Sequence, residues 1–240
     1  MSTQTSKQSS ISKLHGIFLG KFSKKFLIRI LVPIMVIVFV IFYALAWISY
    51  DSFNWTQNDI SYLGAPDLNP KGWIYWAIGM ALTGILYIPV IPFVYKQLLG
   101  VHRIGTKIGI FFLIMAAIGT IGLGIIPQFP GLEIPHTINA TFAFGGLYLA
   151  MFNLGGVLMR DKSIRRLSKT IFVLIGFGGP VGFCITQLYR IVSGGVGRIC
   201  PWIPCPWYLE FSTWEWMLLF FIFADLMVFL LIVSEHVKQE

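Results

Sequence analysis

Residues 119–160 read GTIGLGIIPQFPGLEIPHTINATFAFGGLYLAMFNLGGVLMR, an apolar run, a proline-studded turn and a second apolar run. Pro127, Gln128, Pro130, Gly131, Glu133, Pro135 and His136 fall together at the turn, and prolines spaced this way stop a helix from running through. The stretch therefore predicts a hairpin of two helices. Polar side chains at His136, Asn139 and Thr141 follow directly inside the second helix. Hydrocarbon penalises such groups unless they face protein or water.

Outward from this hairpin, apolar stretches recur at the length of about 20 residues that lets a helix cross a roughly 30 Å hydrocarbon core. They are Leu27–Ser49, Gly72–Tyr95, Gly105–Pro127, Thr137–Met159, Ile171–Val192 and Thr213–Ser234. Of the 240 residues 56% are hydrophobic and 12% charged, with a mean hydropathy of +0.77. A water-soluble domain could not cover that much apolar surface. The expected fold is all-α: a polytopic membrane protein with six transmembrane helices in one bundle over residues 27–234. A basic tail over 1–26 precedes it and a short tail over 235–240 follows.

The net charge of +8 is explained by where the charges lie. Fifteen of the 18 lysines and arginines fall in the N-tail, the 96–107 and 160–169 loops and the C-tail; only Lys71, Arg190 and Arg198 fall on the other side. This positive-inside bias predicts that both termini are cytoplasmic, in the cell (plasma) membrane. It leaves no need for a nucleic-acid partner. In the N-tail Ile11, Leu14, Phe18, Phe22 and Phe26 recur among lysines at helical spacing. That pattern suits either an amphipathic helix on anionic inner-leaflet lipid or a plain basic anchor. The first long apolar run begins at Leu27 with no small-residue cleavage site after it, so no cleavable signal peptide is expected.

The loop from Tyr50 to Lys71 is rich in Asp, Asn and Pro, and Gly64, Pro66 and Pro70 predict an ordered cap. Asn54-Trp55-Thr56 fits the glycosylation acceptor pattern, only a few residues from the membrane. In the last outer loop Cys200 and Cys205 stand in CPWIPC. They could close a disulfide on an oxidising face, or the two intervening prolines could hold the sulfurs apart. Trp55, Trp73, Trp202, Trp207 and Trp214 suit the interface and would fix depth.

Asp225 is the one acid well inside a span, about 18 Å below Thr213 at 1.5 Å per residue. An acid there costs about 2.5–3.5 kcal/mol even on insertion scales. It is either functional or a helix-joining hydrogen-bonding group, with Asn153 a partner at similar depth. A second constellation gathers near the outer boundary: His136, Asn139, Gln187, Arg190 and Glu215, with Asp59 in the first loop. Matching depth lets these side chains share one polar cavity, where the planar fork of Arg190 would suit phosphate or carboxylate. The bland alternative is an Arg190–Glu215 ion pair beside a histidine that caps its own helix. No HExxH, GxSxG or CxxC occurs, and the four histidines are not at ligand spacing. No metal and no cofactor are therefore expected.

Ile60-Ser61-Tyr62-Leu63-Gly64, followed by Pro66, Asn69-Pro70 and Gly72, resembles the ISD-x-G…P signature in the first outer loop of the Frag/DRAM/Sfk-type six-span family. The run from Pro127 through His136, Ala140, Phe144 and Gly146 to Tyr148 resembles its H-x-x-G-A…F…G-x-x-Y hairpin. The chain is also similar to the prokaryotic DUF998 family of integral membrane proteins, which shares this layout and an outer-side Glu before a Trp, here Glu215-Trp216. The signature's loop acid falls on Tyr62, and the glycine after the hairpin histidine falls on Asn139. The resemblance implies lipid-linked roles and no reaction.

The leading expectation is a non-enzymatic membrane protein. His136, Asn139, Gln187, Arg190, Glu215 and Asp59 would hold a lipid head group or small amphiphile in an outer-half cavity. The alternative is a proton-coupled small-molecule transporter using Asp225. The third is a membrane-embedded lipid transferase or hydrolase with His136 as base beside Asp59 or Glu133.

Overall fold

A computed structural model describes residues 12, 14–192 and 210–236. Arg190, Phe211 and His236 are described in backbone only; Cys200, Cys205, Trp202 and Trp207 lie outside the described residues, and the disulfide reading with them. Six helices are long and apolar enough to cross a membrane: α1 Lys24–Ile48, α2 Trp73–Leu98, α3 Arg103–Ile125, α4 Glu133–Arg160, α5 Arg166–Val192 and α6 Phe211–His236. No strand occurs among the described residues. The all-helical, six-span expectation is met.

Helix starts follow from who satisfies the first free N–H groups. Ser23 Oγ accepts from Phe26 N at 3.2 Å to open α1, and His102 Nδ1 accepts from Gly105 N at 3.0 Å to open α3. The hairpin turn is shorter than its prolines suggest. α4 begins at Glu133 and takes Pro135 into its first turn, where a missing N–H costs nothing. His136 is thus already helical. Pro89 and Pro92 sit inside α2 and Pro180 inside α5 without ending either helix. One wider π turn interrupts α1 at Leu27–Leu31 and another interrupts α4 at Thr141–Gly145.

α3 lies between α2 and α4 and approaches both closely. A Cβ at Gly124 would stand 2.5 Å from the Ala77 carbonyl oxygen, and one at Gly119 would strike the Ala143 amide nitrogen. Only glycine allows that approach, and in lipid close backbone packing replaces the hydrophobic drive that joins helices in water. Two buried clusters then fill the bundle. One gathers Leu27, Leu31 and Met35 of α1 with Phe229, Leu230 and Val233 of α6, so the start of α1 and the end of α6 lie at the same end. The other gathers Phe39, Tyr43, Trp76, Leu123, Trp216 and Leu219 beneath the first loop.

The N-tail is helical over 14–18 and then breaks at Gly20, whose φ is +64°. The broken segment splits the apolar set. Leu14, Phe18 and Leu19 are exposed, whereas Phe22 stacks on Phe93 with ring centroids 4.9 Å apart. Lys96 Nζ donates to the Leu19 carbonyl at 2.7 Å and ties the segment to α2.

α5 is the peripheral helix. Among the described residues 11% of its apolar window is buried, against 50% for α4 and α6. It seats on α6 through a face of glycines. Gly176 abuts Asp225, Gly179 abuts Phe221 and Gly182 lies under the Trp214 ring. That seat leaves α5 standing off α4.

Candidate functional site

The first loop is ordered, and two side chains hold it. Asn69 is wholly buried; its Nδ2 donates to the carbonyls of Ala46 at 3.0 Å and Leu63 at 2.9 Å, while its Oδ1 accepts from Gly72 N at 3.0 Å. One amide thus joins the end of α1, the short 3₁₀ turn Ile60–Gly64 and the start of α2. Glu215 makes the second link, its Oε2 accepting from Ile60 N at 2.8 Å. Beside it Ser212 Oγ donates to Asp59 Oδ1 at 2.6 Å and Trp216 Nε1 donates to the Asn58 carbonyl at 3.3 Å. Asp59 and Glu215 are therefore brought together, as parts of a clamp between the first loop and α6. Asn54 Oδ1 accepts from both the amide and the hydroxyl of Thr56, at 3.0 and 2.8 Å, closing the acceptor triad into a turn.

His136 and Asn139 face a different neighbour. His136 Nδ1 lies 3.2 Å from the Ile126 carbonyl, and Asn139 Nδ2 donates to the Pro135 carbonyl at 3.0 Å with its amide packed against Gly122. Both are bound to the α3–α4 hairpin's own backbone. Gln187 lies on α5, one turn before Arg190, whose side chain is outside the description. Of the residues grouped by depth, Asp59 and Glu215 thus meet in the clamp, while His136 and Asn139 bond within the hairpin.

The gap between α4 and α5 is a cavity of about 570 Å³. Tyr148, Met151, Phe152, Gly155, Gly156 and Met159 form its α4 wall; Phe172, Val173, Gly176, Phe177, Pro180, Phe183 and Cys184 form its α5 wall. Leu218 and Asp225 close its α6 side. Its volume falls within the roughly 300–1,000 Å³ of small-molecule sites. At one end the Phe172 ring packs on Gly155, and toward the other Tyr148 Oη donates to the Leu218 carbonyl at 2.9 Å, tethering α4 to α6. Phe152 and Phe177 stand at the rim with ring centroids 6.1 Å apart and are exposed at 63% and 46%. The mouth therefore opens on the lipid-facing side of the bundle rather than toward water.

Asp225 is the polar exception in this wall. It is 1% exposed, its carboxyl is packed against Gly176 with Oδ2 2.8 Å and Oδ1 3.1 Å from where a Cβ there would stand, and the buried Oδ1 has no hydrogen-bond partner. Asn153 does not serve it: that amide donates to the Leu149 carbonyl of its own helix at 2.8 Å. A buried carboxyl with one oxygen unpaired, lining a cavity, marks a candidate ligand site.

Sequence reasoning found Asp225 and missed its surroundings. Gly155, Gly156 and Gly176 read as helix-packing contacts. Two of them are, but a Cβ at Gly156 would meet nothing within 4 Å. Asn69 entered the sequence reading only within the first-loop motif and not as a link between elements, although an Asn-Pro pair between a loop and a span is a signal of a capped entry.

A family model described as "Protein of unknown function (DUF998)" matches residues 33–203, from α1 across the first five spans. No curated protein and no solved structure matches the chain. The likeness to the Frag/DRAM/Sfk-type family rests on the short motifs alone.

Proposed function

Because the chain belongs to the DUF998 family of unknown function, its role has to be read from its own residues, and we propose that it binds a membrane amphiphile in the cavity between α4, α5 and α6. In this reading it is a non-enzymatic lipid-handling or lipid-sensing protein. One observation carries it: an apolar cavity of about 570 Å³ that opens toward lipid and has the buried carboxyl of Asp225 in its wall. An empty apolar void forfeits the dispersion contacts of its whole lining, and a hydrocarbon chain entering from the bilayer restores them. His136, Asn139, Gln187, Asp59 and Glu215, expected to hold a head group at the outer boundary, do not line this cavity. The hydrogen bonds of His136, Asn139, Asp59 and Glu215 run to partners within the protein.

The test fills the cavity from the side where space is open. Purified wild type and Gly156→Trp, both in nanodiscs of defined mixed lipid, are compared for retained amphiphile by native mass spectrometry. Loss of retained species in Gly156→Trp, with an unchanged thermal unfolding midpoint, is the expected result. Equal retention in the two proteins would overturn the reading.

A proton-coupled carrier is the second reading, favoured by the same unpartnered Asp225. It requires flux into proteoliposomes that Asp225→Asn abolishes. Flux that ignores this change would remove it.

A further inference from the structure

Resting on that reading, we infer that the amphiphile is a neutral one whose polar group is a hydroxyl, immersed to the depth of Asp225 and hydrogen-bonded to the carboxyl of Asp225 where it lines the cavity. Three observations converge on this class. The first is depth: Asp225 lies about 18 Å along α6 from Thr213 at 1.5 Å rise per residue, while the phosphates of bilayer lipids sit outside a hydrocarbon core roughly 30 Å thick. A phospholipid with its chains in this cavity would keep its head group well away from Asp225. The group that meets the carboxyl must therefore belong to a molecule that carries its polar end into the hydrocarbon. A single hydroxyl does so at far smaller cost than an ion.

The second observation is charge. Among the described residues Asp225 is the only carboxyl lining the cavity, and no lysine, arginine or histidine lines it. A carboxylate or phosphate on the ligand would face a like charge, or force a proton onto one of the pair, with no cation to offset either in a low-dielectric setting. Acidic amphiphiles are therefore disfavoured at this end of the cavity.

The third is hydrogen-bond chemistry. Asp225 Oδ1 has neither donor nor acceptor beside it, and the Tyr148 hydroxyl is already committed to the Leu218 carbonyl. A hydroxyl donates to a carboxylate and accepts from a carboxylic acid, so it satisfies Asp225 in either protonation state. An ammonium satisfies only the ionised form. A plain alkane or ester satisfies the ionised form not at all. Gly176 fixes the geometry, because a Cβ there would stand 2.8 Å from Oδ2 and push the carboxyl out of place. Oδ1 would stand only 3.1 Å from the same Cβ, so the whole carboxyl packs on α5, and the edge of it that lines the cavity is what a ligand meets.

The experiment uses four photoreactive probes with one hydrocarbon chain, ending in a hydroxyl, an amine, a carboxylate or a phosphate. Each is incorporated with the full-length protein in nanodiscs, and labelling of α4–α6 peptides is read by mass spectrometry. The hydroxyl probe should label about tenfold more than the carboxylate and phosphate probes, the difference one hydrogen bond to an ionisable group makes. Asp225→Asn, which can still donate and accept, should keep the hydroxyl labelling. Asp225→Leu should cut the hydroxyl labelling several-fold, removing the part of the preference that the hydrogen bond supplies. Equal labelling of the four probes in the wild type would overturn the inference while leaving the cavity reading intact. Amine labelling well above hydroxyl labelling would overturn it in favour of a cationic ligand. Labelling by every probe that Gly156→Trp leaves unchanged would place the probes elsewhere and sink the cavity reading itself.

Discussion

Glu215 and Ile60, 155 positions apart in the chain, are joined by a 2.8 Å hydrogen bond from the Ile60 amide to Glu215 Oε2. The bond fastens the 3₁₀ turn of the first loop to the opening turn of α6. It lies in a cluster of rings, with Trp216 and Phe53 5.7 Å apart between centroids and Trp47 and Trp216 5.5 Å apart. A carboxylate is favourable at the N-terminus of a helix, so the same side chain serves α6 and the loop together.

Replacing Glu215 by Ala should therefore loosen the loop rather than empty a ligand site. A hydrogen bond to an ionisable side chain is worth about 1.5–3 kcal/mol, and the Ile60 amide, on a residue 1% exposed, is left without a partner. The expected outcome is a lower thermal midpoint in detergent together with faster proteolysis between residues 50 and 71. Glu215→Gln, which keeps an acceptor oxygen, should recover most of both. An unchanged proteolysis rate in Glu215→Ala would show that the bond does not hold the loop.

Asn69 gives a sharper case because one atom decides it. Asp is nearly the same shape, yet it cannot donate to the carbonyls of Ala46 and Leu63. Asn69→Asp should cost about 2–5 kcal/mol, comparable to Asn69→Ala, through two buried carbonyls left unpaired and an acid placed beside them. Chemical denaturation of the detergent-solubilised protein measures the difference. A neutral Asn69→Asp variant would contradict the assignment of this side chain as the link among α1, the loop and α2.

The spans were legible because hydrophobic length is a one-dimensional property: about 20 apolar residues cross a bilayer whatever they pack against. Depth is legible in the same way, and it was depth that grouped His136, Asn139 and Glu215. Depth does not give azimuth. His136 turns toward Ile126 just past the end of α3 and Glu215 toward Ile60 in the first loop, although both stand near the boundary of their helices. Asp225 was legible because an acid at mid-span is rare enough to be informative alone. Its cavity was not, because a void is made by what is missing. Gly155 receives the Phe172 ring and Gly156, the next residue, receives nothing; the sequence writes both with the same letter.

The Tyr148 hydroxyl ties α4 to α6 through the Leu218 carbonyl while its ring lines the cavity. Tyr148→Phe keeps the ring and removes the tether, at a cost of about 1 kcal/mol. The midpoint should fall slightly, and amphiphile retention should persist, since the lining is still aromatic. Complete loss of retention in Tyr148→Phe would make this hydroxyl a ligand contact instead of a helix tether.

The two glycines on opposite walls should respond to the same methyl with opposite signs. At Gly156 a Cβ meets open space, so Gly156→Ala should be neutral or stabilising by up to about 1 kcal/mol, the helix-propensity difference between the residues. At Gly176 the new methyl would stand 2.8 Å from Asp225 Oδ2 and 3.1 Å from its Cγ, so α5 must lift or the carboxyl must turn. Gly176→Ala should lower the midpoint, because α5 depends on its glycine face for its seat on α6. The double variant Gly176→Ala with Asp225→Ala removes the obstacle and should regain stability over Gly176→Ala alone, a coupling that two independent sites would not show. If Gly176→Ala proves as harmless as Gly156→Ala, α5 does not seat on Asp225, and the carboxyl is not held where it could meet a bound hydroxyl.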